Sequence, residues 1–253
     1  ERPFGLPSPY GAYAMACSRH MHEYGTTRAD LAEIAVATRK WAMLNPKAMK
    51  RDPLTIDDVL GARMISWPFT KLDCCLVTDA GGAVVLTSMR RARDCPTHPV
   101  SVLGYGEAVD HAIISQMRDL TTGPATVSGA RAFAMAGLRP DEMDLAEIYD
   151  SFTYTALVTL EDLGFCKKGE GGAFVRDQRT APGGALPMNT SGGGLSYTHP
   201  GMFGIFIVIE AVRQLRHDYR DEGPRQVDHA ELAVCHGTGG FLSTAGTTIL
   251  GRS

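Results

Sequence analysis

The segment 192–201 reads Gly-Gly-Gly-Leu-Ser-Tyr-Thr-His-Pro-Gly and runs directly into the apolar stretch 202–215. Proline suits the first turn of a helix, and glycines let the backbone approach a ligand closely. The sequence therefore predicts a buried helix over 202–215, with His199 at its amino terminus and facing a cleft. A helix amino terminus disfavours positive charge, so we expect a neutral imidazole that acts as a general base or as a hydrogen-bond donor to an oxyanion. The alternative is that His199 only caps a glycine-rich turn.

Strand and helix patterns alternate along the rest of the chain. Short apolar runs predict buried strands at 74–77, 83–86, 145–149, 232–235 and 247–250. Helical spacing predicts helices at 12–24, 31–44, 128–136 and 156–163, and Thr27 with Asp30 forms a capping-box pattern before the second of these. Prolines and glycines predict irregular chain at 45–70 and a long loop at 167–196. The alternation indicates an α/β layered fold with helices covering both faces of the sheet.

Two of these strand pairs have glycine turns, at 79–82 and 237–240, which suggests a weak internal repeat of 74–86 and 232–250. Neither glycine-rich segment has a phosphate-binding motif, because G-x-x-x-x-G-K-[ST] is missing and no G-x-G-x-x-G opens a βαβ unit. Gly104-Tyr105-Gly106 is too short to count as one. Nucleotide binding therefore has no support.

Composition narrows the class of protein. The chain has 253 residues, 44% of them hydrophobic and 21% charged, which suits a globular protein with a sizeable core. A net charge of -3 gives no strong field toward nucleic acid or anionic lipid. No apolar run approaches the roughly 20 residues of a membrane span, and the start has no signal-peptide character, so we expect a cytoplasmic or organelle-matrix protein. The six cysteines have no C-x-x-C spacing, which predicts reduced thiols and no metal site.

A second group of polar residues, Tyr149-Asp150-Ser151-Phe152, follows the predicted strand 145–149. In open α/β folds, ligands bind at the carboxyl ends of strands. Tyr149 could donate a hydrogen bond to a carbonyl, and Asp150 could orient it or cap the following helix. The alternative is that Asp150 or Ser151 is simply a cap and Tyr149 is half-buried.

The third group is Cys235-His236-Gly237-Thr238-Gly239-Gly240, at the end of another predicted strand. A thiol beside a histidine at a strand end could have a lowered pKa, so the Cys235 thiol could donate or accept a proton in a reaction. Adjacent residues on a strand point to opposite faces, so we do not expect Cys235 and His236 to pair. The alternative for Cys235 is a place in the core.

In order and spacing, these three groups resemble the active-site loops of the thiolase superfamily, with its Asn-Glu-Ala-Phe or His-Asp-x-Phe, Gly-His-Pro and Cys/Gly-rich blocks. The segments 160–166 and 169–174 are similar to its lipid-transfer-protein, or sterol-carrier-type, branch. The resemblance implies a layered thiolase-like fold with mixed sheets. It divides the chain into a loop domain covering CoA (1–70), the last strands of the first thiolase half (71–125) and a carboxyl-terminal thiolase domain (126–253).

The resemblance also implies roles for individual residues. His199 matches the histidine that activates the nucleophilic cysteine and shares in an oxyanion hole. Tyr149 stands where the family has Asn or His, and Cys235 lies near its second catalytic cysteine. The predicted catalytic residues are thus His199, Tyr149, Asp150 and Cys235. The predicted substrate-binding residues are Tyr197, Gly194, Gly237 and Gly239.

By resemblance, the leading hypothesis is a thiolase-type acyltransferase acting on a 3-oxoacyl-CoA, with CoA as substrate and no covalently bound cofactor. The nucleophile-bearing first half is expected upstream of this chain. A retro-aldolase acting on a β-hydroxyacyl-CoA, such as a steroid side chain, is the alternative that Tyr149 and Tyr197 favour, whereas the retained His-Pro pair favours the thiolase. A non-catalytic acyl-CoA or lipid-binding subunit is the third hypothesis. The resemblance further implies that the protein forms a homo-oligomer and binds a small zinc-ribbon and OB-fold partner protein.

Overall fold

The computed structural model describes residues 1–6 and 9–253. The helices are α1 (Tyr10–Tyr24), α2 (Arg28–Leu44), α3 (Ile56–Gly61), α4 (Met89–Ala92), α5 (Ala125–Ala136), α6 (Thr153–Asp162), α7 (Gly171–Val175) and α8 (Gly204–Arg216). The strands are β1 (Met64–Ser66), β2 (Phe69–Thr70), β3 (Val100–Val109), β4 (Leu145–Ile148), β5 (Leu232–Gly239) and β6 (Thr244–Arg252).

The central sheet has the strand order β3-β6-β5-β4, and it is mixed because only β4 and β5 are parallel. Helix α8 packs on β4 and β5 on one face, whereas α5 packs on β3 and β6 on the other. Helices α1, α2 and α6 contribute to the larger of two main hydrophobic clusters, and α8 contributes to the other. The predicted α/β layered fold is therefore confirmed.

Helix α2 begins where its local sequence predicts. The Thr27 hydroxyl accepts from the Asp30 N–H at 3.2 Å, and the Asp30 carboxylate accepts from the Thr27 N–H at 2.8 Å. This reciprocal pair satisfies two N–H groups that have no partner inside the helix. The apolar face then buries Leu31, Ile34 and Trp41. The capping-box prediction is confirmed.

The bounds of the other helices and loops agree less closely with those predicted from the sequence. Helix α5 ends at the predicted Gly137, which has a left-handed φ of 67°. Helix α6 begins three residues before the predicted start at 156, with the Thr153 hydroxyl donating to Asp73 at 2.9 Å. The segment 45–70 is less irregular than predicted, because it contains α3, with a capping box of its own, and the hairpin β1–β2. Likewise, the loop 167–196 contains α7.

The predicted strands at 74–77 and 83–86 are wrong. In this region only Cys74 forms a β-bridge, with Phe152, and Val77 and Val85 are 99% and 93% exposed. A strand needs a neighbouring strand to satisfy its backbone, and the amides of Cys75 and Leu76 bond instead to the carbonyl oxygens of Ser151 and Gly194. The hairpin at 232–250 is confirmed as β5 and β6, although β5 continues to Gly239. The weak internal repeat therefore has no structural counterpart in the described residues.

Two further findings concern the predicted class of protein. Among residues 1–6 and 9–253, no helix is both long and apolar enough to cross a bilayer. All six cysteines are free thiols.

The short motif Gly104-Tyr105-Gly106 has a packing role. It lies in β3, where both glycines are buried against α5. A Cβ atom would lie 2.1 Å from the Ala132 carbonyl oxygen at Gly104 and 2.2 Å from the Ser128 carbonyl oxygen at Gly106. Helix α5 can lie this close to β3 only because neither residue has a side chain.

We predict that Gly106→Ala lowers the free energy of unfolding by about 1–3 kcal/mol, because α5 must move away from β3. Gly246→Ala in β6 is the matched control, since its Cβ atom would meet nothing within 4 Å. Denaturant unfolding of both variants of the complete protein measures the difference. Equal midpoints for the two variants would contradict this account of the packing.

Candidate active site

The glycine-rich segment folds into a tight turn. Gly193–Tyr197 form a single turn of π-helix, and Gly192 and Gly193 have left-handed φ angles of 100° and 57°. A Cβ atom on Gly193 would lie 2.2 Å from the Asp150 carboxylate. Position 193 therefore requires glycine for two reasons, the backbone conformation and the close approach of Asp150.

The fully buried Asp150 carboxylate binds this turn to the end of β4. It accepts hydrogen bonds from the N–H of Gly194 at 2.6 Å and from the N–H of Leu195 at 3.3 Å. Burial raises the pKa of Asp150 to about 7, although the two N–H groups oppose this rise. The expectation that Asp150 caps the next helix is wrong, because α6 begins after Phe152 without a side-chain cap. Asp150 satisfies the amides of the glycine turn instead.

Tyr149 and His199 meet beside this turn. The Tyr149 hydroxyl lies 2.7 Å from Nε2 of His199, and their rings are in edge-to-face contact with centroids 5.4 Å apart. Phe203 stacks on the imidazole at a centroid distance of 6.2 Å, and the Thr78 hydroxyl accepts from the His199 backbone N–H at 2.8 Å. The structure thus brings together two of the predicted catalytic residues, and it holds His199 through both its ring and its backbone N–H.

Burial favours the uncharged form of both partners. It lowers the pKa of His199, and it raises the pKa of Tyr149, with a smaller contribution from the neighbouring Cys75. The phenol therefore keeps its proton near neutral pH, and the tautomer of the neutral imidazole decides which of the two groups donates. A phenol and an imidazole at this distance can exchange a proton.

The cause of the lowered histidine pKa differs from our prediction. Helix α8 begins at Gly204, with Phe203 as the N-cap, so His199 and Pro200 both precede the helix. Gly201 has a φ of 83°, a left-handed conformation that cannot belong to a right-handed helical turn. The predicted helix start at Met202, with Pro200 in the first turn, is therefore wrong. Loss of water around the imidazole lowers its pKa, and the helix dipole is not the reason.

Cys235 and His236 point to opposite faces of the sheet, as strand geometry requires. The Cys235 thiol is buried beneath α8 and lies 3.7 Å from the Ile207 carbonyl oxygen, and burial raises its pKa far above the ordinary value. His236 faces the other side, with Nδ1 2.9 Å from the Thr247 hydroxyl, and burial lowers its pKa to about 4. The expectation that these residues do not pair is confirmed. The expected lowered pKa of the Cys235 thiol is wrong, because the thiol lies in the core, where burial keeps it protonated.

Two predicted binding residues belong to the glycine turn. The Gly194 N–H is used by Asp150, and its carbonyl oxygen accepts from the Leu76 N–H at 2.9 Å. Tyr197 packs edge-on against Phe206 of α8, with ring centroids 6.3 Å apart. Both backbone polar groups of Gly194 are therefore engaged within the protein.

The other two predicted binding residues lie in β5. Gly237 follows Cys235 by two positions, so it is on the face of the sheet that α8 covers. A Cβ atom on Gly237 would meet nothing within 4 Å, whereas one on Gly239 would lie 2.4 Å from the Thr244 hydroxyl. Gly237 thus leaves open space beyond the strand, and Gly239 permits close packing of the β5–β6 hairpin.

Sequence reasoning missed the segment 74–78, which crosses the site outside any helix or strand. The Cys75 N–H donates to the Ser151 carbonyl oxygen at 3.0 Å, and the Thr78 hydroxyl binds both the Thr198 hydroxyl and the His199 N–H. This segment therefore joins the Tyr149 and His199 regions. The one feature of the sequence that could have indicated this role was the polar Thr78 at the end of an apolar run.

Comparison with known proteins identifies relatives. The chain is 40% identical over 242 residues to an acetyl-CoA acetyltransferase of Methanothermobacter thermautotrophicus, covering 95% of this chain and 62% of the relative. It is 42% identical over 222 residues to a steroid side-chain-cleaving aldolase of Thermomonospora curvata, covering 85% and 56%. The solved structure of an Ltp2-ChsH2(DUF35) aldolase superposes with a TM-score of 0.90 at 34% identity, covering 99% of this chain and 65% of that chain.

The chain therefore spans about 60% of the length of these two curated relatives. Within it, residues 106–252 match the sequence family described as thiolase C-terminal domain-like. This match covers more than half of the chain and includes Tyr149, His199 and the hairpin β5–β6. The chain belongs to the thiolase C-terminal domain-like family.

Proposed function

We propose that the complete protein cleaves a carbon–carbon bond of a CoA thioester, and that its reaction is the retro-aldol cleavage of a β-hydroxyacyl-CoA. The observation that supports this most strongly is the 2.7 Å contact between the Tyr149 hydroxyl and Nε2 of His199. Two relatives are named as aldolases, and one of them superposes on nearly the whole chain. CoA enters as part of the substrate and not as a covalently bound cofactor.

In this reaction, the β-hydroxyl of the substrate gives its proton to the Tyr149 oxygen while the phenol passes its own proton to His199. The C–O bond becomes a carbonyl, the Cα–Cβ bond breaks, and its electron pair moves onto the thioester as an enolate. The proton then returns through Tyr149 to Cα. The products are an aldehyde or ketone and a shorter acyl-CoA, and no oxidant or reductant is needed.

Thiolysis of a 3-oxoacyl-CoA is the second candidate, because the acetyl-CoA acetyltransferase relative is 40% identical. That reaction needs an imidazole free to take a proton from a nucleophilic thiol. Here Nε2 of His199 already lies 2.7 Å from the hydroxyl of a phenol, which competes with a thiol for the imidazole. This contact favours the aldolase over the thiolase hypothesis that the sequence placed first.

Residues 1–70 contribute to the proposed acyl-CoA site as a cover. Arg39 of α2 donates to the Ser196 hydroxyl at 2.9 Å, and the Met49 N–H donates to the Tyr197 carbonyl oxygen at 3.1 Å. The name of the Ltp2-ChsH2(DUF35) aldolase supports a partner subunit, which we propose to be the small zinc-ribbon and OB-fold protein. A homo-oligomer is part of the same proposal.

The test of function uses the complete protein with two substrates. One reaction contains a β-hydroxyacyl-CoA alone, and the other contains a 3-oxoacyl-CoA with free CoA. We expect release of an aldehyde or ketone in the first reaction. Turnover in the second reaction only would identify a thiolase, and CoA-thioester binding without turnover in either would identify a binding subunit.

We predict that Tyr149→Phe lowers kcat by about 10²–10⁴-fold, because the ring still packs beside His199 but no longer transfers a proton. His199→Ala should lower kcat to a similar extent, since both residues belong to one relay. Tyr105→Phe is the matched control, because it removes an exposed phenol that binds Glu107 on β3. Steady-state rates that are the same for the Tyr149→Phe and Tyr105→Phe variants would reject the relay.

Acidification should reduce activity in two steps. Burial raises the pKa of Asp150 to about 7, so its carboxylate loses its charge first. Its hydrogen bonds to the N–H groups of Gly194 and Leu195 then weaken. The pKa of His199 is lowered, so its neutral form is lost only below the ordinary histidine range. We therefore expect kcat/KM to begin falling near pH 7 and to fall more steeply in the more acidic range.

Asp150→Asn serves as the comparison, since it should be less active but lack the first step. Measurement of kcat/KM against pH for both proteins tests this assignment. Full wild-type activity down to about pH 5 would contradict the assignment of both groups.

A further inference from the structure

Two buried glutamates meet at one hydroxyl group close to the proposed site. Glu147 lies on β4, two residues before Tyr149, and Glu210 lies on α8. The Thr190 hydroxyl is between them, 2.8 Å from Oε1 of Glu147 and 2.9 Å from Oε1 of Glu210. Both glutamates are buried, at 0% and 4% exposure.

The number of protons in this cluster is informative. The Thr190 hydroxyl has a single proton, and its oxygen also accepts from Nε2 of Gln214 at 3.0 Å. It can therefore donate to only one of the two carboxyl groups. The remaining short oxygen–oxygen contact needs a proton from a carboxyl group, so either Glu147 or Glu210 is protonated.

The surroundings of the two glutamates differ. Glu210 accepts from the Tyr219 hydroxyl at 2.7 Å and lies 3.4 Å from the guanidinium of Arg225, so its negative charge is compensated. Glu147 forms no ion pair within the described part of the chain, and its Oε2 has no hydrogen-bond partner there. A buried carboxylate without a cation or a full set of donors is costly, so the proton belongs on Glu147.

Three further groups around Glu147 also disfavour a negative charge on its carboxyl group. Glu210 from α8 and Asp150 beyond the end of β4 are both acidic, and Cys235 on β5 is a buried thiol. Burial first, and then Glu210, raises the pKa of Glu147 well above the ordinary value, although the hydrogen bonds from the Thr190 N–H and hydroxyl oppose this rise. No neighbouring group among these favours its charged form by ion pairing.

We propose that Glu147 is a neutral carboxylic acid in the working protein, and that Glu147 and Thr190 together are positioning residues for the site. The Thr190 N–H donates to Glu147 at 3.0 Å, and the side chain of the preceding Asn189 accepts from the Ile148 N–H at 2.7 Å. These contacts fix the chain that enters the glycine turn against the strand that leads to Tyr149. The effect on catalysis rests on the proposed function, whereas the protonation of Glu147 does not.

Thermal unfolding of the complete protein against pH tests the protonation. Glu147→Gln keeps a neutral group that can donate to Thr190, and Glu210→Gln is the matched control with the same chemical change on the opposite side of the hydroxyl. A glutamate that is neutral when folded and ionised when unfolded loses its contribution to stability as pH rises above about 4. The Glu147→Gln substitution removes this loss.

We therefore expect the Glu147→Gln midpoint to rise relative to wild type as pH increases from about 4 to about 8. Glu210→Gln should be less stable than wild type across this range, since it leaves Arg225 without its carboxylate. The proposal would be overturned if the thermal midpoint of Glu147→Gln fell further below that of wild type as the pH increased. If this variant does not fold, the infrared band of a protonated carboxylic acid in isotope-labelled Glu210→Gln protein decides. The band should persist at neutral pH, and its absence in this variant would overturn the proposal.

The positioning role is tested at Thr190. Thr190→Val removes the hydroxyl but keeps the shape, and we expect kcat to fall about tenfold or more with KM changed by less than about threefold, because small displacements of reacting groups are costly. Thr190→Ser restores the hydroxyl and should restore kcat. An unchanged kcat in Thr190→Val would reject positioning. If the complete protein has no carbon–carbon cleavage activity, the proposed function fails, and the unfolding data still decide the state of Glu147.

Discussion

The Asp150 carboxylate joins the end of strand β4 to the glycine turn, and the geometry of the site depends on this contact. Asp150 accepts from two successive amides, those of Gly194 and Leu195, and it follows Tyr149 directly in the chain. The turn that leads to His199 is therefore attached next to the residue that carries the phenol. Two segments fifty residues apart thus meet with a hydrogen bond between their side chains.

Burial decides the charges around this contact. It favours the uncharged forms of Tyr149 and His199 and raises the pKa of Asp150 to about 7. Burial likewise raises the pKa of Glu147, and the other buried glutamate, Glu210, lies beside Arg225. A site with few fixed charges suits a reaction in which one proton leaves a hydroxyl and later returns to carbon, because the protein does not have to compensate a permanent charge.

Local patterns in the sequence predicted those parts of the fold that depend on neighbouring residues. Thr27 with Asp30 marked the start of α2, and Gly137 marked the end of α5. The apolar run at 74–77 failed as a strand, because strand formation depends on a partner elsewhere in the chain. Pro200 failed as a helix start, because the left-handed Gly201 separates it from α8.

In the candidate site, too, the sequence predicted which residues take part but not the contacts between distant parts of the chain. Sequence order and family resemblance selected Tyr149 and His199, but neither could reveal that their side chains touch. Asp150 was selected as a residue that could orient Tyr149 or cap α6, and it holds the glycine turn, a role that only the folded chain defines. Cys235 was selected for its position near a glycine-rich turn, whereas the alternation of strand β5 directs its thiol into the core beneath α8. The network of Glu147, Thr190 and Glu210 left no sequence pattern that we could read.

The most direct test is nitrogen-15 NMR of the His199 imidazole in the complete protein at neutral pH. The account predicts a neutral ring with its proton on Nδ1, and an unprotonated Nε2 whose signal shifts when Tyr149 is replaced by Phe. A protonated imidazolium, or a ring whose Nε2 carries the proton and does not respond to that replacement, would contradict it.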